Sequence, residues 1–195
     1  MVNYQQQMEQ TVSALVGRPR LLLHSCCAPC SSSVLERLMP HFEITVYYYN
    51  PNIDPESEYR RRAHEQKQLL DRLSVPLVEA EYTPSDFDAI GLAEEPEGGA
   101  RCKACYALRL AESARYAAQN GYDWLCTTLS VSPHKKADWI NELGQAVCAR
   151  YGLRWLPCDF KKKNGFLRSL QLSEQYGLYR QSWCGCRYSR EERKL

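Results

Sequence analysis

The sequence predicts an α/β fold: a mostly parallel sheet with helices on both faces. Two observations carry this. Short runs of β-forming residues alternate along the chain with longer amphipathic runs, the pattern of repeated strand–helix–strand units. The chain has 195 residues, 44% of them hydrophobic, which is enough for one sizeable core. A single α/β domain over residues 1–195 is therefore expected, ending in a basic, cysteine-containing tail from about residue 179.

Residues 2–16 form an amphipathic pattern with Met8, Val12 and Leu15 on one side. The run RLLLHS (20–25) is the first strand, and CCAPCSSSVLERLM turns directly from it into a helix, with Pro29 suited to a first helical turn. EITVYYY (43–49) is a second strand, NPNIDP a loop, and 56–73 a helix with a charged face. VPLVEAEY is a third strand. A short helix and an acidic, glycine-ended loop fill 82–99. Residues 101–119 carry a helical stripe of Tyr106, Leu110, Ala114 and Ala117, with CKAC at its start. WLCTTL, the loop SVSPHKK, a helix over 137–150, the strand LRWLPCD and a helix over 166–176 complete the series, and the tail YRQSWCGCRYSREERKL reads as irregular. In parallel sheets of this kind ligands sit beyond the carboxyl ends of the strands. CCAPC, the NPN loop, TTLSVSP and PCDFKKK all follow strands, so they are expected to gather on one edge.

Charge is nearly balanced at +2, so any nucleic-acid contact must come from a local patch. No apolar run approaches the length of a membrane span, and the first residues lack the apolar middle of a secretory signal, which predicts a cytoplasmic protein. Ten cysteines in such a compartment point to metal or redox chemistry and away from a disulfide framework.

Seven of the ten fall into three clusters: Cys26, Cys27 and Cys30; Cys102 and Cys105; Cys184 and Cys186. Thiolates are the soft ligands that iron–sulfur clusters and zinc require, four at a time, so seven leave a surplus for a second metal or a reactive dithiol. CCAPC and CKAC stand at helix starts, where free N–H groups and the helix dipole are expected to lower thiol pKa values. Gly185 lets CGC bend tightly. Cys126 and Cys148 read as core residues, as does His24.

Other polar groups are expected near the same edge. Asn50 and Asn52 stand in NPNIDP, Thr127 and Ser132 after the fourth strand, and His134 in SPHKK. Asp159 is a candidate acid. Lys161, Lys162, Tyr179 and Arg180 are candidate contacts to a phosphate backbone or a splayed base.

With these residues in view, the chain resembles the non-cobalamin, QueH-type epoxyqueuosine reductases. The likeness rests on HSCCAPC, YYNPNIDPESEYRRR, RCKACYALRL, TTLSVSPHKK, CDFKKKNG and YRQSWCGCRYS, in this order, and covers nearly the whole chain after the first helix. It implies a Rossmann-like, HUP-type fold and a cytoplasmic oxidoreductase of tRNA processing. The reaction would remove the epoxide oxygen of epoxyqueuosine at the wobble position, in the anticodon loop, with electrons from an external donor. It also implies a [4Fe–4S] cluster beside a second metal, iron or zinc. Carried onto this sequence, Cys102 and Cys105, with Cys27 and one of Cys184 or Cys186, would hold the cluster. Cys26 and the other CGC cysteine would face the second metal. The tail would thus complete the metal site. Some members carry Asp where this chain has Cys30, so Cys30 is either a further ligand or a redox partner. Cys26, Cys30 and Asp159 are the expected catalytic groups. Two rivals remain at this level: a thiol–disulfide oxidoreductase using CAPC, and a zinc-stabilised RNA-binding module.

Overall fold

The computed structural model describes residues 2–194. Five strands, β1 (Arg20–His24), β2 (Glu43–Tyr48), β3 (Leu77–Glu79), β4 (Trp124–Thr127) and β5 (Arg154–Trp155), form one all-parallel sheet in the order β3-β2-β1-β4-β5. The α/β expectation holds. The strand β1 lies in the middle and reads RLLLH, with Leu21, Leu22 and Leu23 fully buried, because a parallel strand covered on both faces has no solvent side to alternate with.

The helices are α1 (Tyr4–Ser13), α2 (Ala28–Leu38), α3 (Glu56–Leu73), α4 (Pro84–Asp88), α5 (Ala100–Gln119), α6 (Ala137–Arg150), α7 (Gly165–Tyr176) and α8 (Arg187–Glu192). The main packing partners are α2 with α7, and α5 with α6. The chain leaves β1 for β2 and β3 on one side, then returns to β4 and β5 on the other. The carboxyl ends of β1 and β4 therefore flank a switch point, the place where such sheets open a crevice for ligands. CCAPC follows β1 and TTLSV follows β4, so both meet there.

Several element expectations need correction. The tail is not wholly irregular: α8 closes it, with Cys186 Sγ accepting the Ser189 amide at the helix start. The first helix is shorter than 2–16. The fifth strand reduces to Arg154–Trp155, since beyond it the chain is held by a side chain in place of a neighbouring strand. After β4 the residues Thr128–Val131 wind into a 3₁₀ turn, with Thr127 Oγ1 accepting from the Leu129 amide.

The side chain that replaces the missing ladder is Asn141. Its Oδ1 accepts from Trp155 Nε1 (3.0 Å) and from the Cys158 amide (2.8 Å), and its Nδ2 donates to the Cys158 carbonyl (2.8 Å). Gly144, one turn further along α6, allows this close approach: a Cβ there would stand 2.4 Å from the Trp155 ring. Replacing Asn141 by Leu keeps the shape and strands three buried polar groups, each of which costs ~1–3 kcal/mol. Urea unfolding should show Asn141→Leu destabilised by about 3 kcal/mol or more; a loss below about 1 kcal/mol would mean that Asn141 does not organise this end of the sheet.

Candidate metal centre and substrate cleft

The three cysteine clusters meet at the switch point. An open cleft enclosing about 970 Å³, partly continuous with solvent, is lined by Cys26, Cys30, Cys102 and Cys184, one or more from each cluster. Tyr106, Phe166 and Trp183 supply aromatic wall, and Ser132, His134, Lys135 and Arg180 polar wall.

The thiols fall into two sets. Cys26, Cys27 and Cys30 lie with their sulfurs within 4.8 Å of one another, and Cys26 and Cys27 are 3.8 Å apart. Two thiolates on one tetrahedral ion at Zn–S ≈ 2.3 Å would be separated by about 3.8 Å. This set therefore has the spacing of ligands to a single ion. The second set is Cys102, Cys105, Cys184 and Cys186, whose thiols bear on one another electrostatically. Cys27 was expected to join Cys102 and Cys105 on the cluster; the α2 start holds it beside Cys26 and Cys30.

The Cys26 thiol is biased toward ionisation. Hydrogen bonds from Cys27 and Cys30 lower the pKa of Cys26, with Lys135 and Arg109 adding positive charge. Cys27 in turn is raised to about 11, first by its hydrogen bond to Cys26, and Cys30 is raised for the same reason. Burial raises Cys102, Cys105 (about 11) and Cys186 (about 12). Helix starts were expected to lower these values; for Cys102 and Cys105, and for Cys27 at the N-cap of α2, desolvation and neighbouring thiols outweigh the dipole.

The surrounding charges fit a thiolate-bound group. Arg109 is 1% exposed, forms no ion pair with a carboxylate among the described residues, and donates from Nη2 to Asn50 Oδ1 (2.5 Å). Burial opposes its charge, yet the neighbouring Cys105, Cys26 and Cys184 raise its pKa. Its Nε has no acceptor, nor do Arg62 Nη2 and the Trp183 ring nitrogen. A buried guanidinium without a carboxylate requires negative charge nearby, and metal-bound thiolates supply it. The donor set fits both a four-thiolate cluster and a three-thiolate ion.

The tail is docked by named contacts. Gln181 Nε2 donates to Cys27 Sγ (3.0 Å). Arg62, paired with Glu58 (2.6 Å, both buried), donates from Nη1 to the Cys184 carbonyl (3.0 Å), and the Asp54 amide donates to the Gly185 carbonyl (2.9 Å).

Other expected residues lie apart from the cleft. Asp159 is buried and paired with Lys161, so neither end is free for substrate. Asn50 is buried, donating to the Ser25 carbonyl and accepting from Arg109. Thr127 Oγ1 meets His24 Nδ1 (2.8 Å) and caps the 3₁₀ turn, and His24 is the packed core residue expected, its pKa lowered to about 3 chiefly by burial. Asn52 is buried, with Oδ1 unpartnered. Lys162 is exposed and outside the cleft wall. Tyr179 lies under Arg61 (3.4 Å to the ring centre) with its hydroxyl toward Glu58. The reading of motifs missed Arg62, Arg109, Lys135 and Gln181. A signal was present for the arginines, since each falls on the apolar stripe of its helix.

A family model described as Epoxyqueuosine reductase QueH matches residues 21–192. Epoxyqueuosine reductase QueH of Staphylococcus epidermidis is 43% identical, over 95% of this chain and 83% of the relative. That of Streptococcus pyogenes is 41% identical, over 96% and 78%. The Thermotoga maritima relative is 30% identical, over 89% and 92%. Among solved structures, the U34-tRNA thiolase NcsA from Methanococcus maripaludis with its [4Fe-4S] cluster is similar at a TM-score of 0.60 and 13% identity, covering 95% of this chain and 67% of that one. At that identity the likeness concerns the fold.

Gly185 has φ of +121°, and a Cβ there would stand 2.9 Å from Arg62 Nη1 and 3.0 Å from Ile53 Cγ1. Gly185→Ala should release the CGC segment while leaving the sheet folded. Trypsin should then cut at Arg180 or Arg187 at least about tenfold faster, a change that a loss of ~1.4 kcal/mol in docking would produce. Equal cleavage rates would show that Arg62 does not hold the tail.

Proposed function

The chain belongs to the epoxyqueuosine reductase QueH family, and on that premise we propose that it removes the epoxide oxygen of epoxyqueuosine at the wobble position of tRNA, giving queuosine. The observation that carries this reading is the meeting of all three cysteine clusters on one open cleft. The balance is simple. Both C–O bonds of the epoxide break, a C=C bond forms, and two electrons and two protons convert the oxygen to water.

Cys102, Cys105, Cys184 and Cys186 would hold a [4Fe–4S] cluster, and Cys26, Cys27 and Cys30 a single iron or zinc ion, the tail over 179–195 completing the site. When bound, these groups supply electrons one at a time and Lewis acidity toward an oxygen. Three protein ligands on the single ion leave a position for substrate, as in catalytic metal sites. An external donor provides the two electrons.

The rest is work for the chain itself. The anticodon loop is already single-stranded, so turning its wobble base into the cleft is cheap. Tyr106, Phe166 and Trp183 offer faces and edges to the base, and Arg180, with Ser132 and His134, polar contacts at the wall. Arg193 at the cleft wall would meet the phosphates. The tail segment through Gln181 and Cys184 covers the thiols and limits water. Among the described residues no helix is long and apolar enough to cross a membrane.

Anaerobically purified protein should be brown, with about four irons and four sulfides in the cluster. Cys102→Ala or Cys105→Ala should remove both colour and deoxygenation, read by mass spectrometry of digested tRNA. Cys30→Ala should keep the colour and lose one further metal ion. Full activity in a colourless, iron-free protein would sink the reading and favour thiol–disulfide chemistry at Cys27 and Cys30.

A further inference from the structure

Lys135 lies in the loop after the 3₁₀ turn, anchored by its amide, which donates to the Ser132 carbonyl (3.2 Å). Three long cationic side chains line the cleft: Lys135, Arg180 and Arg193. Arg180 donates to Ser173 Oγ (3.2 Å), and Arg193 pairs with Glu97 (3.3 Å) and donates to the Ser182 carbonyl (2.7 Å). The ammonium of Lys135 alone among them has neither a hydrogen-bond acceptor nor an ion pair among the described residues. Its neighbour Lys136, by contrast, donates to the Gly98 carbonyl (3.0 Å) and lies over Trp139.

The surroundings of Lys135 define its position. The groups that bear on its charge are Cys184, Cys26, Tyr106 and Cys30, drawn from both thiol sets and from the aromatic wall. The half-buried side chain lines the same cleft as Cys26, Cys30 and Cys184. The carboxylate that also lines the cleft, Glu97, is paired with Arg193. An ammonium at a cleft wall without a protein partner among the described residues is a donor open to an oxygen acceptor that enters the cleft.

We propose that Lys135 is the residue that recognises the epoxide oxygen, donating a hydrogen bond from Nζ to it in the bound substrate. This rests on the epoxyqueuosine reading above. An epoxide presents one acceptor oxygen and no donor, which matches a lysine, whose ammonium has three donors and no acceptor. As the first C–O bond breaks, negative charge grows on that oxygen and the ammonium stabilises it in place. The hydrogen bond thus strengthens toward the transition state, the condition for raising the rate as well as the affinity. The product alkene lacks the oxygen, so the same contact sets substrate apart from product and helps release queuosine-containing tRNA.

The test compares Lys135→Met and Lys135→Arg with the wild-type holoenzyme. Three readouts are taken: visible absorbance with iron content, the dissociation constants of tRNA bearing epoxyqueuosine and of tRNA bearing queuosine, and single-turnover deoxygenation. Lys135→Met should keep its colour and iron, bind the queuosine tRNA as the wild type does, and lose about tenfold or more of its preference for the epoxide tRNA. Its deoxygenation should fall about 10²-fold or more. Lys135→Arg, still a cationic donor, should recover a large part of both. If Lys135→Met instead lost colour and iron while Lys135→Arg kept them, Lys135 would be a counter-ion for the thiolates and the proposal would fall. Unchanged preference and turnover in Lys135→Met would overturn it equally. Failure of the underlying reading looks different: the wild-type protein, brown or not, would leave epoxyqueuosine tRNA unchanged.

Discussion

A fully buried guanidinium lies beneath the thiols of this protein without a carboxylate to neutralise it. Arg109 holds Asn50 with one nitrogen and leaves another without an acceptor, while Cys105, Cys26 and Cys184 surround it. A charge buried in that way is tolerated only where opposite charge is built in. Among the described residues Arg109 has thiols and no paired carboxylate beside it, so ionised thiols would balance its charge. Burial favours the protonated form, as the raised values of Cys102, Cys105 and Cys186 show. Metal coordination would resolve the conflict, because a ligating thiol is deprotonated outright. Thiols and arginine would then be parts of a single electrostatic balance.

The second guanidinium, Arg62, acts on the same principle with a different partner. It is neutralised by buried Glu58 and uses a remaining donor on the Cys184 carbonyl, 122 residues away. A segment with little apolar surface is thereby fastened over the cleft. Gln181 adds a contact to Cys27, and α8 ties down the end through Arg190 to Asp54 and Arg101 to Glu192. The tail has too few buried side chains to fold alone; it takes its shape from polar partners supplied by α3 and α5. That places half of the second thiol set on a segment docked by polar contacts.

The sheet explains why the pieces converge. At the switch point, CCAPC and the turn after β4 emerge side by side, with Cys26 Sγ 3.8 Å from Thr128 Oγ1. The start of α5 reaches the same edge with Cys102. A parallel sheet brings loops distant in sequence to one rim, so three weak cysteine motifs become a single site.

The sequence by itself determined the alternation of strands and helices, the switch of β1 into α2 at CCAPC, the core role of His24 and the membership of seven thiols in three clusters. Each of these follows from local periodicity, turn chemistry or residue type, which neighbours in sequence decide. The tertiary structure alone decided which thiols lie together. Cys27 faces Cys26 and Cys30 because the first turn of α2 orients it, and no spacing rule reports that. It also decided that Asp159 closes on Lys161, that Asn50 and Thr127 serve the core, and that Lys135 stands free where His134 had drawn the attention. Such outcomes turn on which buried charge finds a partner across elements far apart in the chain, and that competition is settled only when the whole core has packed.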